Sequence, residues 1–362
     1  MVTQVKSEGQ QAPHPYSNTI SKTPVLSSPG PKTTNVNRPL RVPRNPAFLF
    51  ALWLVAACQP GASDIPIATL TPVPSKTSFS GEPSVATRTF TVSPRATAAE
   101  SSPVPAAWEE WPVLPEAGDT ARSIYRRGLE LGNNPAAFSK VGDCGSSPSW
   151  FLGVFDQGSG FYRLGDFGYL EQVVGAFPGS FERTSVAARS GFNASSVFSP
   201  LWSDPKVCEA GEGPLACEYR LHRPSIAFIM LGTNDRWHAE DFEDRLSEIV
   251  EYTIGLGIVP ILSTKPDNLE GDGSLNAAIV RVAEAYDVPL WNEWRAVQPL
   301  PNHGLQEDAA HLTWEPNWFD NPVVMRSGWP VRNLTALQAL DVVWRAVTGL
   351  PPAEGVPAQA VE

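Results

Sequence analysis

The segment that most constrains the fold is Ser225-Ile-Ala-Phe-Ile-Met-Leu231, bounded by Pro224 and Gly232. A half-exposed strand alternates apolar and polar positions, and this run does not. It reads as a strand buried on both faces, as parallel sheets hold them between layers of helix. The downstream sequence keeps that rhythm. Phe242, Leu246, Ile249, Val250 and Ile254 fall on one helical face, and Ile258-Val-Pro-Ile-Leu262 is a second apolar strand. Leu275, Ile279, Val282 and Tyr286 line the next helix, Val288-Pro-Leu-Trp291 is a short last strand, and Leu334, Leu337, Leu340, Trp344 and Val347 mark a closing helix. Upstream, residues 119–131 form a helix with Ile124 and Leu129 on its apolar side, and Ala137–Val141 form a first strand ending at Gly142. Ser146 and Ser147 before Pro148 signal a helix start, and Tyr169, Leu170, Val173, Val174 and Phe177 have helical spacing. Alternating strands and helices predict an α/β domain with three α/β/α layers around a central parallel sheet. Its ligands bind beyond the carboxyl ends of the strands.

This pattern occupies residues 108–348, and the sequence before it is of another kind. Arg38, Arg41 and Arg44 precede the apolar run Ala47–Ala57, while Glu8 is the lone acid of the first 57 residues in a chain with 38 Asp and Glu. Eleven apolar residues span about 16 Å as a helix, against about 30 Å for a bilayer core. The run therefore suits the apolar centre of a signal peptide rather than a membrane span. Val55-Ala56-Ala57-Cys58 resembles a bacterial lipobox, which implies lipidation at Cys58 and removal of residues 1–57. Residues 58–107 are rich in Ser, Thr, Pro and Ala without helical or strand period, so they read as a disordered tether, and residues 349–362 as a disordered tail. The expected location is the extracytoplasmic face of the membrane, with the membrane as partner through the lipid anchor.

Three polar motifs stand where strands end: Gly142-Asp143-Cys144, Gly232-Thr233-Asn234-Asp235 and Asp308-Ala309-Ala310-His311. Singly they are ordinary turns, caps or loops. Together and in this order, with Gly191 between the first two, they resemble the blocks of the SGNH (GDSL-like) hydrolases, a family of flavodoxin-like α/β/α fold, over residues 138–348. The resemblance implies a nucleophile at Cys144, a general base at His311 oriented by Asp308, and an oxyanion hole made by the N–H groups of Cys144 and Gly191 with the amide of Asn234. Asp143, Gly232 and Asp235 would support the loops. The departure is Cys144, where the family carries serine. One reading keeps catalysis, with a thiol nucleophile in an ester hydrolase acting on acylated glycans or other small esters. Two others remain open: a degenerate glycan-binding module, and a thiol-based acyltransferase.

Cysteine arithmetic adds a link. With Cys58 lipidated, Cys144, Cys208 and Cys217 remain, and the loop between the last two holds Gly211, Gly213 and Pro214, so it can turn back on itself. An oxidising compartment then favours a Cys208–Cys217 disulfide and leaves Cys144 as the free thiol. No phosphate loop or metal-ligand spacing occurs, so neither a cofactor nor a metal is expected; His222 and His238 stand alone, and His303 reads as a surface turn or a pocket residue. Trp291, Trp294 and Trp314 suit core packing better than a sugar platform. A net charge of −11 argues against nucleic acid as a partner. The expected partners are a small-molecule or glycan ester and the membrane, and the domain is expected to be a monomer.

Overall fold

The computed structural model describes residues 108–354. The signal peptide, Cys58, the tether and the end of the tail lie outside the described residues. Within the domain the elements follow the order α1 (Asp119–Glu130), β1 (Asn134–Gly142), α2 (Glu171–Ala176), α3 (Pro214–His222), β2 (Pro224–Met230), α4 (Ala239–Gly255), β3 (Val259–Ser263), α5 (Ser274–Tyr286), β4 (Leu290–Trp291), α6 (Glu293–Val297) and α7 (Gly328–Thr348).

The four strands pair in parallel in the order β1-β2-β3-β4. Every residue of β2 and β3 is buried, as the uninterrupted apolar runs require. The layers follow from the contacts: α1 and α7 pack together and reach β2, β3 and β4, with α2 against α7, while α3 packs on β1 and α4 and α5 pack together on β3. The fold is therefore a three-layer α/β/α sandwich around a parallel sheet. Beyond β1 a strand remnant continues the sheet: Gly142 bridges Ala188 in parallel, with Gly142 N–H donating to Ala187 O at 3.1 Å and Arg189 N–H to Gly142 O at 3.1 Å. This single bridge fastens the loop that carries Gly191 to the end of β1.

Aromatic rings fill the space between sheet and helices. Phe228 on β2 meets Phe138, Phe151 and Trp291 edge to face, with centroids 5.5–6.1 Å apart. Trp291 is fully buried and Trp294 packs edge-on against Trp108, as core residues. Trp314 departs from that expectation and is 59% exposed.

Cys208 and Cys217 are disulfide-bonded with their Cα atoms 5.3 Å apart, which ties the loop before α3 to its first turn. Breaking this link by Cys208→Ser should cost about 2–3 kcal/mol of stability in the chain-entropy picture. Urea unfolding with and without reductant reads the effect, and identical midpoints in the two wild-type samples would show that the link contributes nothing. Among the described residues no helix is long and apolar enough to cross a membrane.

Candidate active site

Each sequence motif folds into a loop at the carboxyl end of the sheet. β1 ends at Gly142, where a Cβ would fall 2.5 Å from Met230 O and 2.2 Å from Ser146 Oγ, so only glycine lets the chain turn there. Asp143 then caps the turn, its Oδ1 accepting from Gly145 N–H at 2.8 Å. The helix expected from Ser146 and Pro148 is absent. Cys144–Ser146 form one short 3-10 turn, and Gly153–Asp156 another. The reason is local: Ser147 leaves the helical region and Leu152 is left-handed, which breaks any continuous run of hydrogen bonds. A three-residue turn has almost no aligned dipole, so the expected stabilisation of a thiolate at a helix end does not apply. Consistently, the Cys144 thiol is pushed above its ordinary pKa, first by burial and then by the Asp143 carboxylate; the N–H groups of Gly145 and Cys144 and the Arg332 charge pull the other way. At neutral pH Cys144 is a thiol and needs a base.

The loop that carries Gly191 and the Gly232–Asp235 motif are joined by side chains. Asn234 Nδ2 donates to Phe192 O at 2.9 Å, and Asp235 Oδ1 accepts from Ala194 N–H at 2.9 Å. Both partners lie just beyond Gly191, whose φ of +84° suits glycine. Burial raises Asp235 to a pKa of about 6, against the pull of the Ala194 and Gly232 N–H groups. The N–H groups of Cys144 and Gly191 have no protein partner among the described residues, and Asn234 has a second amide hydrogen beyond the one given to Phe192.

The third motif is the tip of a small hairpin. Leu305 and Leu312 form an antiparallel bridge, Gln306 N–H donates to His311 O at 2.7 Å, and Ala309 turns the tip with φ +55°. Asp308 Oδ1 accepts from the N–H groups of Ala310 and His311, both at 3.0 Å, while its Oδ2 meets His311 Nδ1 at 2.6 Å. A carboxylate there makes Nδ1 the protonated nitrogen and frees Nε2 to act as base. Burial tends to raise the Asp308 pKa, but the hydrogen bonds from His311 and Ala310 outweigh it and hold the acid down at about 2. Asp308 is thus an anion wherever an imidazole can serve as base. His311 is 61% exposed at its side chain, and no hydrogen bond joins Cys144 Sγ to its ring. The orienting half of the expected triad is assembled. The thiol–imidazole contact is not made in this conformation. Asp143 lies near enough to His311 for their charges to interact.

Sequence reasoning missed the ions beneath these loops. Arg332 of α7 pairs with Glu293 of α6 at 2.6 Å, both buried. Lys265 pairs with Asp267 at 2.8 Å and Glu270 at 2.5 Å, and Asp267 also accepts from Thr233 Oγ1 at 2.7 Å. Arg332, Glu293, Lys265, Thr233 and Asp143 line one interior cavity of about 20 Å³. No sequence signal marks them, since an isolated Arg or Glu ordinarily reads as surface.

No protein-family model matches the chain and no curated protein does. Among solved structures it is similar to a GDSL-like lipase from Bacteroides thetaiotaomicron, with 15% identity and a TM-score of 0.36 over 61% of this chain and 96% of that one. It is also similar to an acetylxylan esterase from Geobacillus stearothermophilus, solved as a catalytic mutant, with 16% identity and a TM-score of 0.35 over 59% of this chain and 96% of that one. At such values the chemistry rests on the residues of this chain.

Proposed function

We propose that the domain is a thiol-based ester hydrolase of the SGNH type acting on acylated glycans, held outside the membrane by a lipid on Cys58. The observation that carries this reading is the Asp308–His311 pair at 2.6 Å on the same end of the sheet as Cys144 and the unpartnered N–H groups of Cys144 and Gly191. In the reaction, Cys144 Sγ gives its proton to His311 Nε2 and attacks the ester carbonyl carbon. The carbonyl π pair moves to oxygen, and the oxyanion takes hydrogen bonds from Cys144 N–H, Gly191 N–H and Asn234 Nδ2. Collapse breaks the bond to the alcohol oxygen, which leaves with the proton from His311. Water, deprotonated by His311, then cleaves the thioester and restores the thiol. Each oxyanion donor is worth about 3–4 kcal/mol in such a step.

The glycan part of the reading is supported by exposed tryptophan. The tryptophans exposed among the described residues are Trp150, Trp202, Trp237 and Trp314, and each follows one of the site motifs. Trp202 stands edge-on to Phe192 beside Gly191, Trp237 is two residues past Asp235, and Trp314 three past His311. Exposed aromatics beside polar motifs suit a ligand surface, and a flat ring such as Trp237, with the Arg236 guanidinium 4.6 Å from its centroid, suits a polyol better than an acyl chain. Acetylated oligosaccharides and p-nitrophenyl acetate separate the two parts of the proposal. Both substrates should turn over and leave an acetyl adduct on Cys144 by mass spectrometry, and Trp314→Ala should raise KM about tenfold for the oligosaccharide alone. Saturable oligosaccharide binding with neither adduct nor turnover would make the domain a binding module.

A further inference from the structure

We propose that Arg332 is the positioning residue that makes negative charge tolerable on Cys144: its guanidinium is locked beneath the Asp143–Gly145 turn by Glu293 and supplies the positive charge the absent helix end does not. This rests on Cys144 being the reactive thiol, yet it is tested on the thiol itself.

The guanidinium is held from three sides. Nη1 pairs with Glu293 Oε1 at 2.6 Å, and Glu293 Oε2 accepts in turn from Ser263 Oγ at 3.3 Å. Nη2 donates to Met230 Sδ at 3.3 Å, at the last residue of β2. The plane is bracketed by the rings of Phe151, Trp329 and Trp291, with centroids 5.1–5.7 Å from Cζ. Nε is buried and has no hydrogen-bond partner among the described residues. A guanidinium so enclosed cannot swing away to water. A Cβ at Gly145 would lie 3.9 Å from Nη2, which measures how close the turn approaches.

The neighbouring charges single out Arg332. Facing the turn are Asp143 within it, Asp235 after β2, Lys265 and Asp267 after β3, Glu293 on α6, His311 on the hairpin and Arg332 on α7. Lys265 is met by two carboxylates, Asp267 and Glu270, so it offers the turn little net charge. Arg332 meets one carboxylate, on one nitrogen, and spends a second nitrogen on a soft thioether that neutralises nothing. Its charge acts on Cys144 in the same direction as the Gly145 and Cys144 N–H groups and adds to what the short turn provides. Glu293 both aims the guanidinium and moderates it. Against the burial and Asp143 that raise the Cys144 pKa, Arg332 and Glu293 therefore form an opposed pair whose members act on it in opposite directions.

That opposition is the test. The full chain is alkylated with iodoacetamide, a neutral reagent, across pH 6–11, and peptide mass spectrometry reads Cys144 apart from Cys58. The rate follows the thiolate fraction, and the pH of half-maximal rate is independent of access to the sulfur. Arg332→Met should slow alkylation at pH 8 about tenfold and move the half-maximum upward, whereas Glu293→Gln should speed it about tenfold and move the half-maximum downward. Arg332→Lys should stay within about threefold of wild type. A purely structural pair would move both variants in the same direction, or leave both half-maxima unchanged, and either result overturns the proposal. If Arg332→Met does not fold, the near-isosteric Glu293→Gln still decides: a downward half-maximum supports the assignment, and an unchanged or upward one refutes it. None of these readings needs ester turnover, so an inactive enzyme leaves the result intact.

Discussion

His311→Ala should lower kcat/KM for p-nitrophenyl acetate by about 10³-fold, within the 10²–10⁴ typical of a lost general base. A cysteine nucleophile that rests as thiolate would tolerate the loss better, since it carries its own activation. Cys144 does not rest that way: burial and the Asp143 carboxylate raise its pKa, and no α-helix follows it. Proton removal must therefore come from the imidazole. Asp308→Asn should follow with a loss in the same range, because the amide no longer fixes the proton on Nδ1 across the 2.6 Å contact. Cys144→Ser sharpens the comparison. Oxygen is the more basic nucleophile, so the serine variant should show no residual activity once His311 is also removed. Steady-state rates of the single and double variants decide the matter. Activity of His311→Ala within tenfold of wild type would remove His311 from the mechanism and turn attention to the turn's own electrostatics.

The parts legible in the sequence share a physical cause. β2 and β3 are buried on both faces, so their composition alone marks them, and α4, α5 and α7 announce themselves by the spacing of Phe242 to Ile254, Leu275 to Tyr286 and Leu334 to Val347. The block motifs are local as well: Asp308 and His311 meet because a hairpin tip brings positions three apart together. What composition and spacing do not carry is charge that becomes buried by distant pairing. Glu293 and Arg332 are 39 residues apart, and Arg183 and Glu218 are 35 apart. Each reads as a surface residue until the fold supplies its partner. The turn after Cys144 failed for a different reason. Ser-Ser-Pro is a sound helix start, but Asn333 of α7 takes the Leu152 N–H at 3.0 Å and donates to Trp150 O at 2.9 Å, so tertiary hydrogen bonds replace the helical ones.

Glu218 should prove the most costly single residue to remove outside the hydrophobic core. It sits on α3, fully buried, and its two oxygens are spoken for. Oε1 accepts from Arg183 Nη1 at 2.5 Å and from Ser139 Oγ of β1 at 2.7 Å; Oε2 accepts from Val186 N–H at 3.0 Å. One carboxylate thus joins helix, strand and the loop that runs on through Ala188 to Gly191. Glu218→Ala leaves a guanidinium, a hydroxyl and a backbone N–H without their acceptor. Removing one partner of a buried pair costs about 3–5 kcal/mol, because the remaining charge stays buried and uncompensated. Lys140 adds to the burden. It is fully buried, its ammonium donates to Phe181 O at 2.7 Å, and burial with the nearby Arg183 charge lowers its pKa to about 7; the Glu218 charge is what partly offsets Arg183. Without the carboxylate the Lys140 pKa falls below about 7 and the ammonium gives up its proton, which leaves Arg183 as the uncompensated cation. The melting temperature should fall by roughly 6–20 °C for a domain of this size. Glu218→Gln keeps an acceptor for Val186 or Ser139 and should lie between wild type and alanine. Calorimetry on the three proteins gives the ranking, and Arg183→Met supplies the decisive comparison. If the loss comes from a stranded guanidinium, adding Arg183→Met to Glu218→Ala should recover stability rather than lose more. A further drop in the double variant would mean that Glu218 matters for packing and backbone anchoring, and that its ion pair is incidental.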